Sequence, residues 1–140
     1  MEVEVNGEKY KVKVIDGEAV EEDRGGKKLL RIKITAEIDG VRSDYTITYT
    51  RSGRNNAAVS YTAARANAPG GREADAKRLS ALIKALTGKE PKVYHTGDGR
   101  IIIECSKKHL DGLKRYAELA DTIEKWLEKT SRRRGRTSRT

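Results

Sequence analysis

Apolar and polar residues alternate with a period of two through much of the first half of the chain. Val3 to Val5 and Tyr10 to Ile15 are such runs, and Asn6-Gly7 lies between them. Asn-Gly in that setting predicts a β-hairpin, because both central residues of the favoured turn need positive φ. The turn sets Glu4 opposite Lys9 and Glu2 opposite Lys11, with Val3, Val5, Tyr10, Val12 and Val14 on the other face. Opposite charges across a strand pair support that register. Residues 16–28 then read as an acidic loop ending in a flexible Gly25-Gly26 pair.

Leu29 to Ile38 and Val41 to Thr50 form the clearest hairpin, turning at Asp39-Gly40. A two-residue turn pairs Ile38 with Val41, Ile34 with Tyr45, Ile32 with Ile47 and Leu30 with Tyr49, all on one face. The opposite face holds Glu37 with Arg42, Lys33 with Thr46 and Arg31 with Thr48. A slip of one residue would bury Arg31 and Lys33, so the register is strongly specified. Residues 51–56 read as a polar loop. Ala57 to Ala66 follows as a strand with Val59, Tyr61 and Ala63 on one face, or, given its alanines, as a short helix. Asn67 to Gly71 breaks the chain.

The period then changes. Leu79, Leu82, Ile83 and Leu86 recur at helical spacing and predict a helix over Glu73–Thr87. Lys92–Thr96 and Arg100–Cys105 make a third hairpin around Gly97-Asp98-Gly99. Ser106 is placed to cap a final helix whose buried stripe would be Leu110, Leu113, Ala117, Ala120, Ile123 and Leu127. This order predicts an α+β domain: an antiparallel sheet of hairpins, two helices packed on one face, and the opposite face open. The domain covers residues 1–130, with 1–26 an acidic N-terminal hairpin and loop and 27–130 the core. Residues 131–140 carry five arginines and no apolar residue, and disorder is expected there.

Composition bounds the function. The chain has 140 residues, no Phe and one Trp, so its core draws on Ile, Leu, Val, Ala and Tyr. No apolar run approaches the roughly 18 residues that cross a bilayer. Met1-Glu2-Val3-Glu4 is not a signal-peptide start, and the lone Cys105 excludes an internal disulfide. A cytoplasmic location is the default expectation. Gln is absent and Asn occurs four times, while Lys, Arg and Glu abound, a balance expected of a hyperthermophile.

Charge is unevenly spread. Residues 1–26 carry net −4, residues 27–72 net +6, residues 73–130 net +2 and the last ten net +5. A positive central segment and tail point to nucleic acid as a partner. On the central hairpin Arg31, Lys33 and Arg42 project from one face with Thr46 and Thr48 between them. Arg51 and Arg54 lie on the adjoining loop, and Arg65 and Arg72 would extend the patch. Lys and Arg meet phosphates, Thr hydroxyls bond phosphates or bases, and a two-stranded ribbon fits the major groove. Tyr45 and Tyr49 face the core in this register, which favours duplex or structured DNA or RNA over an unstacked strand. Arg132, Arg133 and Arg134 would add salt-sensitive attraction.

Catalytic constellations are weak. His95, Cys105 and His109 are too few for a zinc site without carboxylates, and read better as exposed histidines and a core thiol. A Cys–His nucleophile rests on the same residues. Glu21-Glu22-Asp23 reads as a flexible acidic loop rather than a cation site. Neither Gly97-Asp98-Gly99 nor Gly25-Gly26-Lys27-Lys28 has the strand–loop–helix setting of a phosphate loop. No catalytic residue, metal or cofactor is expected.

Arg72-Glu73-Ala74-Asp75-Ala76, the run from Ala81 to Pro91, Asp98 to Ile103, and Tyr116-Ala117-Glu118-Leu119-Ala120 resemble a multicopy crenarchaeal protein family, PaREP type 2b. That family has no assigned biochemical function, and its members vary greatly in length. The resemblance implies a module of a longer ancestor, which is either an interaction module or a degenerate remnant without activity. The order of basic hairpin, helix, hairpin and helix also resembles the second part of a LAGLIDADG homing-endonuclease repeat, without the motif helix and its catalytic acid. That likeness implies DNA binding without cleavage. A half-saddle of this kind would gain from forming a homodimer. The rivals to a nucleic-acid binder are thus a protein-interaction module and a metal-assisted hydrolase.

Overall fold

The computed structural model describes residues 1–52 and 56–131. Residues 132–140 of the expected tail, and Arg54 in the polar loop, lie outside the described residues. The structure has the predicted α+β architecture, with a seven-stranded antiparallel sheet and its helices on one face.

Three two-residue turns build the first four strands. Asn6-Gly7 (φ 51° and 82°), Gly25-Gly26 (57° and 83°) and Asp39-Gly40 (50° and 83°) all take positive φ at both positions. They link β1 (Glu2–Val5), β2 (Glu8–Arg24), β3 (Lys27–Ile38) and β4 (Val41–Ser52) into a meander. The registers of β1–β2 and β3–β4 are those read from the sequence, from Glu2 opposite Lys11 to Leu30 opposite Tyr49.

The acidic loop is a correction. Residues 16–24 are the second half of β2, paired along β3 from Asp16 opposite Thr35 to Arg24 opposite Lys27. A bulge at Ile15 shifts the register. It swaps the parity of the strand, so Val12 before it and Gly17 and Ala19 after it all lie on the helix-covered side. The stretch is strand because β3 offers it a full ladder of backbone partners and because Glu18 and Asp23 oppose Lys33 and Lys28, the latter as an ion pair at 3.3 Å.

β5 (Ala57–Ala63) is a strand, not a helix, and turns Ala58 and Ser60 inward. It leads into α1 (Gly71–Thr87), which ends at Gly88, whose N–H donates to the Lys84 carbonyl. β6 (Lys92–His95) and β7 (Ile101–Cys105) follow, giving the order β1-β2-β3-β4-β5-β7-β6. α1 packs against both β1 and β7, strands far apart in that order, so the sheet curls around it. Lys84 Nζ donates to the Glu4 carbonyl and Lys77 pairs with Glu8 at 3.4 Å, fixing the curled end.

The single final helix is a second correction. Two helices, α2 (Lys107–Leu113) and α3 (Ala117–Thr130), are separated by an extended Tyr116 (φ −95°, ψ 124°). The Tyr116 hydroxyl and the Arg115 guanidinium both donate to the Leu86 carbonyl near the end of α1. The break changes the phase of the apolar stripe. Leu119, Ile123 and Trp126 are buried, and Ala117 is exposed. Trp126 is wholly buried, with its Nε1 donating to the Lys28 carbonyl at 3.0 Å, so α3 covers β2 and β3.

Candidate nucleic-acid interface

The open face is set by alternation on β3. Leu30, Ile32, Ile34, Ala36 and Ile38 are buried under the helices, and Arg31 and Lys33 between them are exposed. Arg31 stands opposite Thr48 and Lys33 opposite Thr46. Arg42 stands opposite Glu37. Among the described residues, Arg31, Lys33 and Arg42 make no ion pair or side-chain hydrogen bond, so their charges are unengaged.

In one half of the sheet, Val20, Arg31 and Thr48 pair across β2, β3 and β4, as do Glu18, Lys33 and Thr46. In the other half, Tyr61, Glu104 and Lys92 pair across β5, β7 and β6, as do Ala63, Ile102 and Tyr94. β2 therefore brings a carboxylate beside Lys33 that a loop would not have brought. On the β2 side of the face, Lys33 stands opposite a carboxylate and Arg31 opposite Val20.

Arg51 belongs to the fold. Its guanidinium donates to Thr130 Oγ1 (2.9 Å), the Asn56 carbonyl (3.0 Å) and the Leu127 carbonyl (3.1 Å), and lies 5.3 Å from the centre of the Trp126 ring. It satisfies the Leu127 carbonyl in the last turn of α3, which has no partner within the helix. Arg65 and Arg72 are also engaged. Arg65 pairs with buried Asp75, and Arg72 donates to the Gly99 carbonyl at 2.9 Å. Arg54, Arg132, Arg133 and Arg134 lie outside the described residues. Their described neighbours do meet, because Asn56 Nδ2 donates to the Thr130 carbonyl at 3.0 Å.

The ribbon docking expected from the sequence does not suit the sheet. β3 and β4 are flanked by β2 and β5. Seven strands spaced about 4.8 Å apart span about 29 Å, against a major groove about 12 Å wide.

The residues weighed for metal or nucleophilic chemistry are dispersed. Among the described residues, no three His, Cys, Asp or Glu side chains gather as a cation site. His95 is exposed and lies 3.5 Å from Glu73. His109 is buried; its Nδ1 accepts from the Ser106 N–H (3.0 Å), and its Nε2 meets the Glu90 carbonyl (3.1 Å). With Nδ1 accepting, Nε2 is the nitrogen that donates to the Glu90 carbonyl, and the Ser106–His109 exchange forms a capping box for α2. Cys105 is buried in the core, and burial pushes its thiol up to about 12.

Tyr45 and Tyr49 lie in the core, as the register requires, and the Tyr49 hydroxyl donates to the Ser106 carbonyl at 2.9 Å. Sequence reasoning missed Tyr61 and Tyr94 as surface aromatics. They are 61% and 43% exposed on the open face. The signal was the alternation in each strand, read without knowing which side the helices would cover. Among the described residues, no helix is long and apolar enough to cross a membrane. No family model, curated protein or solved structure matches the chain.

Proposed function

We propose that this chain is a non-catalytic nucleic-acid-binding domain that meets DNA or RNA phosphates on the open sheet face. The observation that carries the reading is the pair of unengaged cations, Arg31 and Lys33, side by side on β3 with Thr48 and Thr46 opposite them. Arg42 extends this line toward the Asp39-Gly40 turn. The arginines at 132–134 and Arg54 add sequence-independent attraction. The lineage proposed is the PaREP type 2b family, on the residues named above.

A second reading, a protein-interaction module, is favoured by Glu18 beside Lys33 and Glu37 beside Arg42, since alternating charge suits a polar protein surface. Fluorescence anisotropy with labelled nucleic acid at several salt concentrations separates the two. Affinity should fall linearly on a log–log salt plot, and Arg31→Ala should lower the slope by about one. Arg31→Glu with Lys33→Glu should weaken binding about tenfold or more. Binding that is unchanged by this reversal, or that vanishes on removal of residues 131–140 alone, would favour the protein-partner reading.

A further inference from the structure

We infer that the open face selects unpaired strands, with Tyr61 and Tyr94 as stacking platforms for bases. This deepens the nucleic-acid reading above and rests on it.

The two rings rise from the same face, on β5 and β6, with β7 between them. Two strand spacings and one step of two residues put their Cα positions about 12 Å apart. Each ring has a cation near it on the same face. Tyr61 on β5 is two strands from Arg31 on β3, and Tyr94 on β6 lies two residues from Lys92 on its own strand. Cations for phosphates beside exposed rings for bases are the two elements of single-strand binding on a sheet.

Glu104 stands between the rings, opposite both Tyr61 and Lys92, and accepts a hydrogen bond from the Tyr94 hydroxyl. A carboxylate there repels phosphate but accepts from the amino groups of base edges. Arg31 and Lys33 thus meet the backbone beside a base stacked on Tyr61, and Lys92 meets the backbone beside a base stacked on Tyr94. A duplex gains little here. Its base faces are already stacked, and its groove does not admit so wide a sheet.

The test compares the full chain binding a fluorescein-labelled 12-nucleotide strand with its binding of the same sequence as a duplex. The strand is expected to bind more tightly. Tyr61→Ala and Tyr94→Ala should each weaken strand binding about tenfold and leave duplex binding unchanged. Tyr61→Phe should retain it, because the ring and not the hydroxyl carries the contact. Both tyrosines are exposed, and circular dichroism checks that the variants fold. Equal affinity for strand and duplex, or alanine variants that bind the strand as tightly as the parent, would overturn stacking. If the charge-reversed variant alone loses binding, the phosphate reading stands and stacking falls. Failure to bind either form at any salt overturns the reading beneath both.

Discussion

The guanidinium of Arg65 closes on the buried carboxylate of Asp75 at 2.9 Å, and the Arg65 backbone N–H donates to the other oxygen of that carboxylate at 2.7 Å. The same guanidinium donates to the Asp44 carbonyl (3.1 Å) and Ser43 Oγ (2.9 Å), and lies 5.3 Å from the centre of the Tyr45 ring. One arginine therefore ties the segment after β5 to α1 and to β4.

Arg65→Ala leaves Asp75 inside the protein with its backbone partner but no counter-charge. It should cost about 3 kcal/mol, the low end for breaking a buried pair, since Arg65 itself is part exposed. Arg65→Lys should recover little, because a point charge cannot make the fork of contacts. Urea denaturation measures both, and a full recovery with lysine would refute the fork as the cause.

Arg51→Ala should act on stability before it acts on binding. It removes the hydrogen bonds to Thr130, Asn56 and Leu127 and the stacking on Trp126, and exposes the end of α3. A loss of about 2–3 kcal/mol is expected, since hydrogen bonds from a charged donor are worth more than neutral ones. At a temperature where the variant is folded, its nucleic-acid affinity should stay within about twofold of the parent. A large affinity loss in the folded variant would return Arg51 to the interface.

Gly112→Ala sets two effects against each other. Alanine favours a helix by about 1 kcal/mol over glycine. A Cβ at this position would lie 2.7 Å from Thr87 Cβ and 3.0 Å from Thr87 Cα. Backbone cannot give way as a side-chain tip can, and overpacking of this kind costs about 1–3 kcal/mol. Net destabilisation is expected in thermal melts. A stabilised variant would mean that α2 can slide on α1.

Alkaline pH should unfold the protein through groups that are held neutral. Burial raises the Cys105 thiol from 9.0 to about 12. Burial, then the hydrogen bond with Glu8, raises the Tyr10 hydroxyl from 10.0 to about 12. A raised folded-state value means the unfolded chain releases its proton first. Stability is therefore full below about pH 9 and falls as pH rises toward 12. Denaturant midpoints at successive pH values should show the fall, and Cys105→Ala should flatten its first part. Cys105 should also resist thiol reagents in the folded chain and react in urea.

How far the fold was legible depended on contrast between faces. On β3 from Leu30 onward every second residue is isoleucine, leucine or alanine and the others are polar, so a slip is costly and the register could be read. On the second half of β2 the inward positions are Gly17, Ala19 and Glu21, which show no such contrast. That stretch is strand because of its neighbour and the Gly25-Gly26 turn, a tertiary cause that propensity does not register. The break at Tyr116 carries no proline or glycine, and its only trace is the phase shift from Leu113 to Leu119. At the site, Arg31 and Lys33 were readable from alternation. Arg51 was not separable from them, because an arginine that closes a helix and one that awaits a phosphate look alike in sequence. Tyr61 and Tyr94 needed the order of strands across the sheet.

The bond from Trp126 to the Lys28 carbonyl joins the last helix to a strand made long before it. During synthesis, five strands with an apolar side emerge before any helix that will cover them. At 5–20 residues per second, the interval between the end of β5 and the arrival of Trp126 is roughly 3–12 seconds. Through that interval the nascent chain presents a greasy, half-built sheet to its surroundings. A chain stopped short of α3 would never lose it, so premature termination should yield a substrate for chaperones and proteases rather than a smaller working protein.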